Sequence, residues 1–174
     1  MKAMILALAF AGAVTVSPAF AQAVPGYGGF TPLPEAGEHP DPGRVYKVVF
    51  DVSQGGPDEG PNRGLDRVAR LINMLAADGV DADHRQVVVV VHGAAALSVL
   101  SDPAWAARGK GAANPNSALI RALVAAGVEV RICGQAMVGN RVAEEDLAPG
   151  VTVDLAALMT VVHHQQAGYA LIAD

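Results

Sequence analysis

The run Gln86–Val91, QVVVVV, places five β-branched valines in succession. Their stiff side chains crowd a helical turn and suit a pleated strand. The run has no polar alternation, so neither face of that strand is open to water. A strand buried on both faces belongs inside a largely parallel sheet covered by helices. The rest of the chain supplies such a sheet. Val45–Val52 (VYKVVFDV), Val128–Cys133 (VEVRIC), Val151–Leu155 and Tyr169–Ala173 all read as strands. Between them, Leu65, Val68, Ala69, Ile72 and Leu75 recur at helical spacing and stop near Asp78-Gly79. SALIRALVAAG runs from a cap at Asn116 or Ser117 to Gly127, and Ala156–Gln166 stops at Gly168. A short helix is expected from Ala94 to Leu100, turns in SDPAWAARGKGAANPN, and a polar surface helix after Gly134. The alternation predicts a three-layer α/β fold on a five-stranded, mainly parallel sheet with right-handed crossovers.

At the amino end, Lys2, an apolar run from Ala3 to Val16 and the small-residue exit Ala19-Phe20-Ala21 form the pattern of a secretory signal peptide. Residues 1–21 are therefore expected to be removed, with cleavage after Ala23 the second choice. The expected product is a soluble exported protein of the bacterial periplasm, without stable membrane insertion. Residues 22–43 form a Pro/Gly-rich segment; its stretch Val24–Gly43 holds five prolines and five glycines, which disfavours regular structure. It reads equally as a flexible tether or as a strap using Tyr27, Phe30 and Leu33 as anchors. Residues 44–174 then form one domain, large enough to bury about two-thirds of its unfolded surface. Twelve Lys and Arg against seventeen Asp and Glu, with no basic cluster, exclude a nucleic-acid surface. One cysteine excludes an internal disulfide, although exported proteins occupy the compartments where disulfides persist.

That cysteine, Cys133, ends the VEVRIC strand. Ligand crevices of open α/β sheets lie at the carboxyl ends of the strands, so the thiol has a site to occupy as well as a core to fill. Cysteine is also a common buried small hydrophobe, and both readings stand at this point. His92 ends the neighbouring strand, where it can act as an acid/base group or donate near the thiol, since imidazole exchanges a proton near neutral pH. Bonding its own loop is the alternative. Asp51, inside an otherwise apolar strand, can orient the following loop or contact a pocket, with turn capping the ordinary reading. His163 and His164 are helical neighbours that diverge in direction. A copper or zinc site of Cys133, His92 and one of them is chemically reasonable, but no ligand spacing supports it, and no metal is expected. The loop GGPDEGPNRG lacks the Walker and GxGxxG signatures; no cofactor is expected. Trp105 can cover a pocket or dock a subunit, and Asn114 and Asn116 set a turn and cap a helix.

The segments HGAA from His92, NPNSALIRALVAAGVEVRICGQ from Asn114, PGV from Pro149 and HHQQAGYALI from His163 resemble the exported branch of the DsrE/DsrF-like proteins. More distantly, the chain is similar to sulfurtransferase subunits that carry persulfide sulfur. The resemblance runs from about Val45 onward. It implies a flavodoxin-like sheet in the order 2-1-3-4-5, a homotrimer or homohexamer, and Cys133 as a sulfur acceptor or donor. The implied function is sulfur handling: accepting or relaying sulfane sulfur as a cysteine persulfide between donor and acceptor partners, proteins among them. The other reading is a noncatalytic oligomeric binding or assembly module with a structural cysteine.

Overall fold

A computed structural model describes residues 22–174; the expected signal peptide, residues 1–21, lies outside the described residues. The chain forms β1 (Tyr46–Val52), α1 (Arg63–Ala77), β2 (Arg85–Val91), α2 (Asp102–Ala107), α3 (Ser117–Ala125) and β3 (Glu129–Cys133). It continues through α4 (Gly134–Asn140), β4 (Val151–Asp154), α5 (Ala157–Gln166) and β5 (Ala170–Ala173). All five strands join one sheet through parallel pairs. The three-layer α/β reading therefore holds.

The strand order does not follow the expected 2-1-3-4-5. It is β4-β3-β2-β1-β5. The chain lays down β1 to β4 in one direction, and only the last crossover, through α5, returns past the start to place β5 beside β1. Because crossovers are right-handed, the helices of the forward connections fall on one face and α5 on the other. The two faces are unequal. One carries the main core, in which Val48, Phe50, Val52, Val89 and Ile132 pack against Leu65, Ile72, Leu119 and Ile120 from α1 and α3. The other carries a small cluster of Val90, Cys133 and Ala157 beneath α5. β2 sits in the middle of the sheet with Val87 to Val91 all buried, as its valine run requires.

Close approach of α1 to the sheet depends on Gly64, where a Cβ would lie 2.4 Å from Val52 Cγ1. Asn62 caps the same helix, its Oδ1 accepting from the amides of Gly64 and Leu65 at 2.8 and 3.2 Å. Asn116 holds the N-cap position of α3 but makes no side-chain cap bond; its Oδ1 accepts from Asn62 N at 2.6 Å instead. Asn114 donates to the Ser98 and Leu100 carbonyls at 3.0 and 2.6 Å. These buried amides lace together the connections at the carboxyl edge of the sheet. Asp102 joins them: the Ser117 hydroxyl and the Asn114 amide donate to its carboxylate and hold it below the usual carboxylate range.

Residues 102–107, expected as turns, form a helix. The Ser101 hydroxyl accepts from Ala104 N at 3.4 Å and Pro103 lies in the first turn, where its missing N–H is no loss. Trp105 from this helix is buried in the main core, its Nε1 donating to the Lys110 carbonyl at 2.9 Å. At 4% exposure it does not stand free for a partner.

The amino-terminal segment is docked on α1, but by other anchors than Phe30 and Leu33. Val24 is fully buried in the main core, with Tyr27 packed beside it, whereas Leu33 is 65% exposed. The buried Asn73 side chain accepts from Val24 N at 2.8 Å and donates to the Tyr27 carbonyl at 2.9 Å. Gly28 (φ +59°) passes so close that a Cβ would stand 2.2 Å from Arg70 N, and its amide donates to Asp66 at 2.8 Å.

Candidate functional site

Sheet register brings the candidate residues together. Val91 pairs with Ile132, so the next residues, His92 and Cys133, leave neighbouring strands side by side. The ladder continues one residue past the strand, with His92 N donating to the Val52 carbonyl at 3.0 Å and His92 still extended. Adjacent parallel strands lie about 4.8 Å apart, and side chains alternate between faces. His92 and Cys133 both fall on the α5 face. Asp51 pairs with Val90, two residues before His92, and so shares that face one step diagonally behind the imidazole.

These three side chains line one pocket of about 640 Å³ at the carboxyl edge of β1, β2 and β3, within the size range of small-molecule sites. Its far walls come from α4, through Gln135 and Asn140, and from α5, through Ala157, Leu158 and Val162. Both walls are held in place. Asn140 Nδ2 donates to the Gly93 carbonyl at 3.2 Å and Gln135 Nε2 to the Leu155 carbonyl at 3.3 Å, tying α4 to the loop after β2 and to the turn before α5. Arg108 donates to the Asn140 and Arg141 carbonyls at 3.0 and 2.7 Å and fixes the carboxyl end of α4. Gly134 lets α4 begin beneath that turn, since a Cβ would lie 3.0 Å from the Asp154 carbonyl oxygen.

Cys133 is 6% exposed and packs with Val90 and Ala157. It is both a buried residue and a wall of the pocket. It holds the N-cap position of α4 without making a side-chain cap bond, so its sulfur is not engaged as the helix cap. His92 Nε2 lies 2.9 Å from Asp51 Oδ1. The carboxylate oxygen stands off the line of the ring N–H, and neither atom has a hydrogen-bond partner among the described residues. The two atoms thus face each other at close range without a formed hydrogen bond. Two buried polar atoms held this near each other without a formed bond are costly unless something uses them.

Other expected residues lie elsewhere. His163 and His164 line a second, smaller hollow with Arg131, Asp154 and Met159. There His164 Nδ1 lies 2.7 Å from the Thr160 carbonyl and the ring stands edge-on to Tyr169. Arg131 is held by Glu129 and by Asp154, at 2.9 Å from the latter, and the Glu129 carboxylate raises it above the usual guanidinium range. The histidine pair thus does not meet Cys133 and His92. The loop after β1 stays outside the pocket lining as well. Its Ser53 and Gln54 amides and the Ser53 hydroxyl donate to the Asp174 side chain at 3.0–3.2 Å. Burial works to raise that carboxyl, but these donors together hold it below its ordinary value. Asp58 of the same loop pairs with Lys110 at 2.6 Å.

The profile of the DsrE/DsrF-like family matches residues 47–173. The chain belongs to the DsrE/DsrF-like family. That family carries a general association with sulfur transfer, and in this DsrE/DsrF-like protein the matched region contains the sheet from Lys47 onward and the pocket. Among solved structures, a protein of unknown function from Methanobacterium thermoautotrophicum is similar at TM-score 0.57 and 21% identity. The comparison covers 74% of this chain and 99% of that one. The ychN protein from E. coli is similar at TM-score 0.51 and 14% identity, again over 74% of this chain and 99% of its own. At these identities the likeness is one of fold. No curated protein matches the chain in sequence.

Proposed function

We propose that this DsrE/DsrF-like protein is a sulfur carrier that takes a sulfane sulfur onto Cys133 as a persulfide and passes it to a second thiol. The observation that carries this reading is the placement of Cys133 on the wall of a formed pocket beside the His92–Asp51 pair. In the step, Cys133 gives its proton to His92, and the thiolate attacks the outer sulfur of a donor R–S–SH. The donor's S–S bond breaks as the Cys133 S–S bond forms, and R–S⁻ leaves with the proton from His92. No electron is gained or lost overall. Because Nε2 is turned to Asp51, Nδ1 is the ring nitrogen that serves the sulfur, and the carboxylate stabilises the transient imidazolium.

Incubation of reduced protein with a hydropersulfide, followed by intact mass and peptide mapping, tests the reading. Wild type should gain one sulfur at the peptide containing Cys133, and Cys133→Ala none. Equal gain by both would remove Cys133 from the reaction. The competing reading, an assembly module with a structural cysteine, draws on the burial of Cys133. It expects alkylation only after unfolding, whereas the carrier expects native protein to react.

Two further parts of the reading concern the whole molecule. We place the carrier outside the cytoplasm, in the periplasm, on the strength of the amino-terminal pattern. The mature chain should start at Gln22, because a start at Val24 would turn a buried, hydrogen-bonded amide into a buried ammonium. Amino-terminal sequencing of exported protein decides between them. We also assign it a homotrimeric or homohexameric state. Val153 and Leu155, at and just past the free edge strand β4, are 37% and 74% exposed, an apolar strip that subunit contact would cover. Light scattering at micromolar concentration should return a multiple of the chain mass, and a monomer at all concentrations would exclude the assembly.

A further inference from the structure

The pocket is far larger than one sulfur atom. At about 640 Å³ it has room for the group that carries the sulfur, so its lining bears on which donor enters. Six of its thirteen lining residues are alanine, valine or leucine, namely Ala136, Ala156, Ala157, Leu158, Val161 and Val162. Among the described lining residues none is a lysine or arginine, and the one fixed charge is the Asp51 carboxylate. His92, the lining group able to become cationic, already faces that carboxylate. Three cations elsewhere at this end of the fold are engaged, and none of them lines the pocket. Arg131 is held by Glu129 and Asp154, Arg108 by two carbonyls of the α4 terminus, and Lys110 by Asp58. An anionic donor would have to shed water beside Asp51 with no counter-charge to replace it.

Resting on the carrier reading above, we infer that the pocket selects uncharged, apolar hydropersulfides as sulfur donors and discriminates against anionic ones such as thiosulfate or glutathione hydropersulfide. The reaction is the balanced exchange already given, with R an alkyl or aryl group. The outer sulfur moves to Cys133, and the remainder of the donor leaves as R–SH with the Cys133 proton that His92 held. The R group lies against the α5 wall, where Leu158 and Val162 continue the apolar lining out to the mouth.

The test compares single-turnover loading of the full reduced protein by tert-butyl hydropersulfide, glutathione hydropersulfide and thiosulfate. Each rate is divided by the rate of the same donor with a small free thiol, which removes intrinsic reactivity. The normalised rate for the tert-butyl donor should exceed that of either anion at least tenfold. Leu158→Lys places a cation at an exposed position on the pocket wall, where folding is not at stake, and should narrow the ratio by raising the anionic rates. Equal or faster normalised loading by the anions, or an unchanged ratio in Leu158→Lys, overturns the selectivity while leaving the carrier intact. Failure of all three donors to load wild type overturns the carrier reading, and the selectivity falls with it.

Discussion

His92→Ala is expected to slow persulfide formation on Cys133 by about a hundred- to ten-thousand-fold, the range ordinarily supplied by a positioned acid–base group. The sulfur that is modified remains in the variant, so the end point of loading should be unchanged and only the rate should fall. The imidazole occupies a wall of a pocket with ample room, and its removal leaves a space that free imidazole can enter. Added imidazole should therefore restore part of the lost rate in His92→Ala and none in Cys133→Ala. Asp51→Asn keeps the shape of the side chain 2.9 Å from the ring but removes its charge. It should lower the rate constant by less than His92→Ala does, without changing the donor concentration at half-saturation. A merely structural role for Asp51 would instead disturb both. Native rates in His92→Ala, or an absence of imidazole rescue alongside a damaged fold, would sink the assignment.

Asn73→Ala should destabilise the protein by about 3–5 kcal/mol, combining lost hydrogen bonds to buried backbone with exposure of Val24. The amide of Asn73 is the shared partner of Val24 N and the Tyr27 carbonyl in a buried setting. Without it the segment from Val24 to Gly28 has two choices, unpaired burial or departure from α1. Departure takes Val24 out of the main core and opens the segment to protease. Urea unfolding measures the first consequence and limited proteolysis the second. Gly28→Ala should give the same phenotype by a different route, because a Cβ there would collide with the backbone of Ala69 and Arg70. Native stability and native protease resistance in both variants would show that the strap contributes nothing.

The valine run of β2 made the sheet legible, and it also contained an objection to the strand order 2-1-3-4-5. In that order β2 would lie at an edge, where five consecutive buried valines have no use. Its actual place is the centre. Cys133 and His92 were legible as strand-end residues, but their adjacency depends on register, which comes from tertiary pairing and not from either segment alone. The place of Asp51 is hidden in the sequence for the same reason. A carboxylate in an apolar strand reads as a turn former until the alignment with Val90 places it behind His92. Counting back from the two strand ends with a period of two would have found it. The strap was obscured by the usual attention to aromatics, because its anchoring is divided between a small aliphatic residue and an asparagine 49 positions away. The helix at residues 102–107 was hidden by a proline that belongs in a first turn and by the glycines after it.

Everything from Ala157 onward, α5 and then β5 docked on β1, serves the lesser face of the sheet, where Ala157 packs on Cys133 and Val90. Of the described residues in or against the larger core, Ile172 alone comes from that stretch. The tail of the chain is thus a roof more than a foundation, and a protein cut short before Ala157 would lose a wall of the pocket, and the cover over its thiol, ahead of most of its core.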